Sequence, residues 1–137
     1  VYAKTVKLAL PYNEAVLKVK DVFKEKGFGT LTEIDVRSAL KEKLGVEVEP
    51  YLIIGACNPV LAKRALEAEP EVGTLLPCNI VVRKVGDQVI VHVFDPAIMA
   101  SISGNPEVTE VAREAERLVG EALSSLGFGE RSELNSK

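Results

Sequence analysis

The sequence predicts an α+β fold in which an antiparallel sheet is layered against helices, and three observations support that class. Two β-rich runs, Cys78–Val85 and Gln88–Phe94, flank Gly86-Asp87, the composition of a tight hairpin turn. Two amphipathic helical patterns lie towards opposite ends of the chain, at 13–26 and from Pro106 onward. Between them no low-complexity linker divides the chain, so one sheet carrying helices is the economical arrangement, and the hairpin favours it over a wound parallel sheet.

Taken in order, residues 3–9 alternate as a short strand that Pro11 ends. From Asn13 to Lys26, Ala15, Val16, Val19, Val22 and Phe23 recur at three- and four-residue spacing, with Lys18, Lys20, Asp21, Lys24 and Glu25 opposite. Gly27 stops this helix, being the residue type that turns left-handed without a Cβ penalty. Residues 30–34 alternate and are β-branched, a strand leading to Asp35. That aspartate caps a short helix with Val36, Ala39, Leu40 and Leu44 on one face, closed by Gly45. The apolar run 51–57 reads as a buried central strand, and Asn58-Pro59 combines a capping side chain with proline at the first helical position to start a helix over 60–68. After Glu69-Pro70 comes a loop, then the hairpin, whose second strand Asp95-Pro96 terminates. Asn105-Pro106 repeats the cap-and-proline start for a long helix with Val108, Val111, Ala112, Ala115, Leu118, Val119, Ala122, Leu123 and Leu126 on one face. Both long helices end in Gly-Phe-Gly, at 27–29 and 127–129, where the phenylalanine is expected to fold back on the helix.

Length and composition bound the rest. A chain of 137 residues suits one domain, expected over 1–129, with a frayed polar tail over 130–137. No apolar stretch approaches the roughly 18 to 20 residues of a membrane span, and no secretory signal is visible. Two cysteines are far too few for a disulfide scaffold, which places the expected setting in a reducing cytoplasm. A net charge of −3, with charges interspersed, argues against nucleic-acid and membrane partners. Abundant Glu and Lys beside one Met and no Trp lean towards a thermophilic source.

Chemistry-bearing residues concentrate in GACNP (55–59) and PCN (77–79). Cys57 lies where a strand hands over to a helix, and helix-start N–H groups stabilise a thiolate. The structural alternative is that Ala56 and Cys57 are small residues required where a strand end packs closely. A nucleophilic pair would need Cys57 or Cys78 with His92, the sole histidine, oriented by Asn58, Asn79 or Asp95. In its strand His92 shares a face with Ile90 and Phe94, so a packed or rim position competes with that role. Cys57, Cys78 and His92 as zinc or copper ligands lack any recognised ligand spacing, and a Cys57–Cys78 disulfide would need a non-reducing setting. No glycine pattern forms a phosphate cradle, since neither GxGxxG nor a P-loop motif occurs. The pairs Glu33 with Asp35 and Glu67 with Glu69 read as solvated carboxylates.

The segments GFGTLTEIDV (27–36), LKEKLGVEVEPYLIIGACNP (40–59), ALEAEPEVGTLLPCNIVV (65–82) and DP (95–96), in that order, resemble the family called domain of unknown function 302. The resemblance runs from about Thr5 to about Ala100, and its two Cys-Asn motifs are its most specific part. It implies a TATA-box-binding-protein-like fold, strand–helix–four strands–helix, with a curved antiparallel sheet carrying both long helices on one face. It also implies a homodimer, and it brings no activity with it. DNA binding by the namesake of that fold depends on a basic concave sheet, and this chain is acidic.

The expectation is therefore a homodimeric module that binds a small molecule or a protein, with a pocket at Cys57, Asn58, Pro59, Cys78 and Asn79. No catalytic residue, metal or cofactor is assigned. The competing reading is a thiol-dependent enzyme, or a redox or metal sensor, using Cys57 with Cys78 and His92.

Overall fold

The computed structural model describes residues 2–127; the expected frayed tail and Phe128 lie outside the described residues. Strands β1 (Ala3–Leu8), β2 (Gly29–Asp35), β3 (Tyr51–Cys57), β4 (Cys78–Val85) and β5 (Gln88–Phe94) form one sheet in the order β1-β5-β4-β3-β2, with every neighbouring pair antiparallel. Helices α1 (Tyr12–Glu25) and α5 (Pro106–Leu126) are the long pair read from the sequence. Between the strands lie α2 (Val36–Leu44) and α3 (Pro59–Ala68), both started as anticipated: the Asp35 carboxylate accepts from Ser38 N at 2.9 Å and the Asn58 amide oxygen from Leu61 N at 3.2 Å.

Two elements depart from the sequence reading. The expected loop after Glu69 is a 3-10 helix over Pro70–Leu75. Past Asp95-Pro96 the chain forms a further short helix, α4 (Ala97–Ile102), whose first turn is set by the Asp95 carboxylate accepting from Ala97 N at 3.0 Å. Six residues are too few to display an amphipathic period, which is why the pattern of apolar positions did not announce it.

Alternation along the strands divides the sheet into two faces. Val89, Val91 and Val93 of β5, Ile80 and Val82 of β4, and Ile54 and Ala56 of β3 are buried on the helix side. They pack against Ala15, Val19, Val22 and Phe23 of α1 and against Val119, Ala122, Leu123 and Leu126 of α5. A second cluster gathers Leu61 and Ala65 of α3, Val72, Met99 of α4, and Val108, Val111 and Ala112 of α5. Ala115 and Leu118 of α5 pack against both clusters, so the long helix joins them. No helix among the described residues is long and apolar enough to cross a membrane.

The sheet's other face carries no helix from the long pair. Strand registers align Thr5, His92, Val81, Ile53 and Ile34 in one row across all five strands, and Lys7, Ile90, Arg83 and Tyr51 in the next. Beside the second row, α2 and Val48 border a groove that also includes Tyr51, Arg83 and Val85. Although α2 has an apolar side, none of its residues is buried.

At the end of α1, Gly27 adopts φ +90°, and the next residue folds back as the Gly-Phe-Gly pattern anticipated. Phe28 is 4% exposed, its N–H donates to Phe23 O at 2.9 Å, and its ring meets Phe23 edge-on with centroids 6.2 Å apart. Replacing Phe28 with Ala is expected to cost about 3 to 5 kcal/mol, read by urea denaturation. The control Leu31→Ala, at a side chain 65% exposed, is expected to change stability by less than about 0.5 kcal/mol. Equal effects for the two variants would refute this account of the helix end.

Candidate functional site

The two Cys-Asn segments meet because β3 and β4 pair antiparallel, with Ala56 opposite Cys78 and Gly55 opposite Asn79. Each residue of GACNP has a distinct task at this corner. A Cβ on Gly55 would overlap Thr32 Oγ1 and come within 2.9 Å of Pro77 Cγ, so only glycine admits the ring of the neighbouring segment. Pro77 follows a cis peptide bond. Ala56 is 2% exposed in the core. Asn58 caps α3, and a Cβ on Gly27 would come within 2.9 Å of its amide nitrogen. Pro59 occupies the first turn of α3, where a missing N–H costs nothing.

Cys57 closes β3, and Cys78 packs against the core from the start of β4. Both line a cavity of about 50 Å³ at the junction of the two core clusters, with Phe28, Asn58, Pro77 and Met99 among its other walls. Leu61, Ala62 and Ala65 of α3 and Ala115 of α5 are also among its walls. The ends of α3, α4 and α5, helices that each supply cavity walls, are tied together by polar contacts: Asn105 Nδ2 donates to Ala68 O at 3.2 Å, Ser103 Oγ to Glu69 Oε1 at 2.6 Å, and Arg64 Nε to Glu107 Oε2 at 2.9 Å.

Of the five residues singled out from the sequence, the structure brings Cys57, Asn58 and Cys78 to the cavity. Pro59 and Asn79 are not among its walls. Asn79 is exposed, and strand alternation puts it on the face opposite Cys78. Phe28, Pro77, Pro96 and Met99 are among the walls that the sequence reading did not name as site residues. Phe28 was legible only as part of a helix end, Pro77 only as the residue before the second Cys-Asn pair, Pro96 only as the end of a strand, and Met99 sits on the helix that was not foreseen. The one available signal was Asp95-Pro96, an acceptor side chain before proline as at Asn58-Pro59, although here Pro96 itself holds the cap position and α4 starts one residue later.

Both thiols are held protonated. Burial pushes Cys78 up to about 12 and raises Cys57 above the ordinary thiol value. Cys78 Sγ lies 4.0 Å from Phe94 O, a weak donor contact, and both cysteines are free.

His92 stands apart from them. It lies in the open-face row between Thr5 and Val81. Arg83 Nε donates to His92 Nε2 at 2.9 Å, which leaves the ring proton on Nδ1, 2.8 Å from Thr5 Oγ1. Burial first, and the Arg83 guanidinium second, lower the pKa of His92 and keep the ring neutral. Its two ring nitrogens are therefore both engaged away from the cysteines, and it is not among the cavity walls. Among the described residues there is no group of three or more His, Cys, Asp and Glu arranged to hold a metal.

The comparisons with known proteins agree with this architecture. A solved structure described as an uncharacterized conserved protein DUF302 from Bacillus stearothermophilus superposes with a TM-score of 0.84 at 28% identity, covering 92% of this chain and 98% of that one. No curated protein matches the chain. The model of the family described as domain of unknown function DUF302 matches residues 3–126, from the first strand to the end of α5, and the chain belongs to that family.

Proposed function

We propose that the chain is a non-catalytic binding module whose ligand site is the cavity between the two Cys-Asn segments, and that it works as a homodimer. The observation that carries the ligand site is an apolar cavity where the two Cys-Asn segments meet. Ala56, Cys57 and Asn58 of one segment and Pro77 and Cys78 of the other are among its walls. Against a thiol-dependent enzyme stand two facts. Burial keeps both thiols protonated, and the one histidine is engaged elsewhere with Thr5 and Arg83, so the chain's single imidazole serves neither sulfur as a base.

The partner we propose is a second copy seated on the open sheet face. Ile34, Ile53, Val81 and Ile90 form its apolar centre, with Ile34 52% exposed, and the unburied α2 beside the groove extends it. Five strands spaced about 4.8 Å apart and about 23 Å long present roughly 550 Å² of sheet before α2 is added. With α2 the face approaches the roughly 800 Å² per partner of a standard stable interface.

Xenon tests the cavity directly. Under xenon pressure, amide shifts in ¹H–¹⁵N spectra are expected to saturate and to be confined to the cavity's walls, among them Phe28, Ala56, Cys57, Cys78, Met99 and Ala115. Absent or diffuse shifts would mean that the cavity admits no guest. Iodoacetamide at neutral pH is expected to modify Cys57 more slowly than an unperturbed thiol and Cys78 only after unfolding, as mapped by peptide mass. Rapid alkylation of folded Cys57 would favour the enzyme reading instead. For the dimer, Ile53→Lys is expected to convert a two-chain species to a single chain in sedimentation equilibrium at micromolar concentration with the circular dichroism unchanged. A monomeric unmodified protein would remove this part of the proposal.

A further inference from the structure

The cavity beside the two Cys-Asn segments has walls of nearly one chemical kind. Leu61, Leu75, Leu76, Val111 and the alanines of α3 and α5 supply hydrocarbon, and no Lys, Arg, Asp, Glu or His is among the described walls. Met99 adds a thioether, an apolar group on an unbranched and adaptable stem. Asn58 brings the one side-chain amide among the described walls, and its oxygen is engaged by Leu61 N at 3.2 Å. The walls also differ in depth. Ala65, Met99 and Val111 are buried, whereas Cys57, Asn58, Leu75, Leu76 and Pro77 keep part of their surface in solvent.

We propose that the cavity takes a short aliphatic chain, an alkyl group of about three to five carbons whose polar end stays at the surface beside Cys57, Asn58 and Pro77. This rests on the reading of the cavity as a binding site and names the class of its guest.

Three considerations select that class. Water is a poor occupant, because an enclosed water needs roughly two to four polar partners and these walls are almost entirely apolar. A charged guest is excluded by the same walls, since it would give up its hydration with nothing to replace it. Size then excludes an aromatic ring. Benzene occupies a cavity of roughly 150 Å³, and this one holds about 50 Å³. At about 10 to 15 Å³ for each water-sized group, and with a methylene close to that size, the space suits roughly three to five carbons.

Depth sets the orientation. A chain entering past the half-exposed Cys57 and Pro77 brings its methyl end against the buried Met99 and Val111, and the polar end remains where solvent can hydrate it. Met99 stands on α4, a helix of six residues, and its side chain can change rotamer to follow the guest. No bond to sulfur is made, and the thiols keep their protons. Binding comes from removing alkyl surface from water, which strengthens affinity by about fourfold for each methylene buried.

The test is titration of the reduced chain with straight-chain alcohols from ethanol to octanol, followed by the ¹H–¹⁵N amide shifts of Phe28, Ala56, Cys78 and Met99. Affinity is expected to rise about fourfold for each added methylene and to stop rising at about three to five carbons. Ala62→Leu enlarges a wall side chain and is expected to weaken butanol binding at least about tenfold. Met99→Ala enlarges the cavity and is expected to move the break in the series to alcohols about two or three carbons longer. The two variants act in opposite directions, so if one fails to fold the other still decides. The assignment is overturned if affinity climbs steadily through octanol, as partitioning onto a surface would, if phenol binds more tightly than butanol, or if neither variant changes the series. Xenon binding without alcohol binding would overturn the aliphatic assignment and leave the cavity a binding site. Loss of both would remove the underlying reading.

Discussion

The corner at Gly55 is the constraint on which the rest of the molecule depends. There β3 must pass close enough to the Leu76-Pro77 segment that a single added methyl would strike Pro77 and the Thr32 hydroxyl of β2. Three neighbouring segments thereby approach one another closely. Three residues on, Asn58 caps α3 and occupies the space that a side chain at Gly27 would need, so the end of α1 is drawn into the same corner. Phe28 then folds inward beside Phe23 and becomes a wall of the cavity. The two Cys-Asn motifs are thus halves of one interlock.

From this corner the sheet inherits unequal faces. The valines of β5 bury one face beneath α1 and α5, and the second cluster extends that core past the cavity through α3 and α4. The opposite face keeps a polar thread, Thr5 to His92 to Arg83, running through aliphatic neighbours. A neutral imidazole suits this role, because it accepts from a guanidinium while donating to a hydroxyl, and a charged one would lose the acceptor. A face of this mixed character is ordinary for the covered surface of a homodimer, where aliphatic contacts supply the burial and a few polar groups set the register.

The thiols show how burial decides reactivity. Placed at a helix start and exposed, Cys57 would have its pKa lowered by the nearby N–H groups. Here desolvation outweighs that effect, and more strongly still at Cys78, so both thiols keep their protons. Burial thus sets both cysteines against nucleophilic catalysis.

The elements themselves were legible in the sequence, because each rests on local rules. A continuous apolar run located β3 and two β-rich runs across Gly86-Asp87 located β4 and β5, each to the residue, the Asn-Pro pairs located the starts of α3 and α5, and Gly27 with Phe28 gave the end of α1. Resemblance to a family of conserved motifs directed attention to Cys57, Asn58 and Cys78, but it grouped Pro59 and Asn79 with them. Strand pairing separates Asn79 from Cys78 onto opposite faces, and that follows only once the register of β3 against β4 is known. Met99 could not be joined to the cysteines from sequence, since its helix is one short turn and a half and its partners lie twenty or more positions away. Local periodicity and capping are properties of a few consecutive residues and so determine the elements. A cavity wall is a property of residues that share only their position in space, and that was decided by how β3, β4, α4 and α5 pack around Gly55.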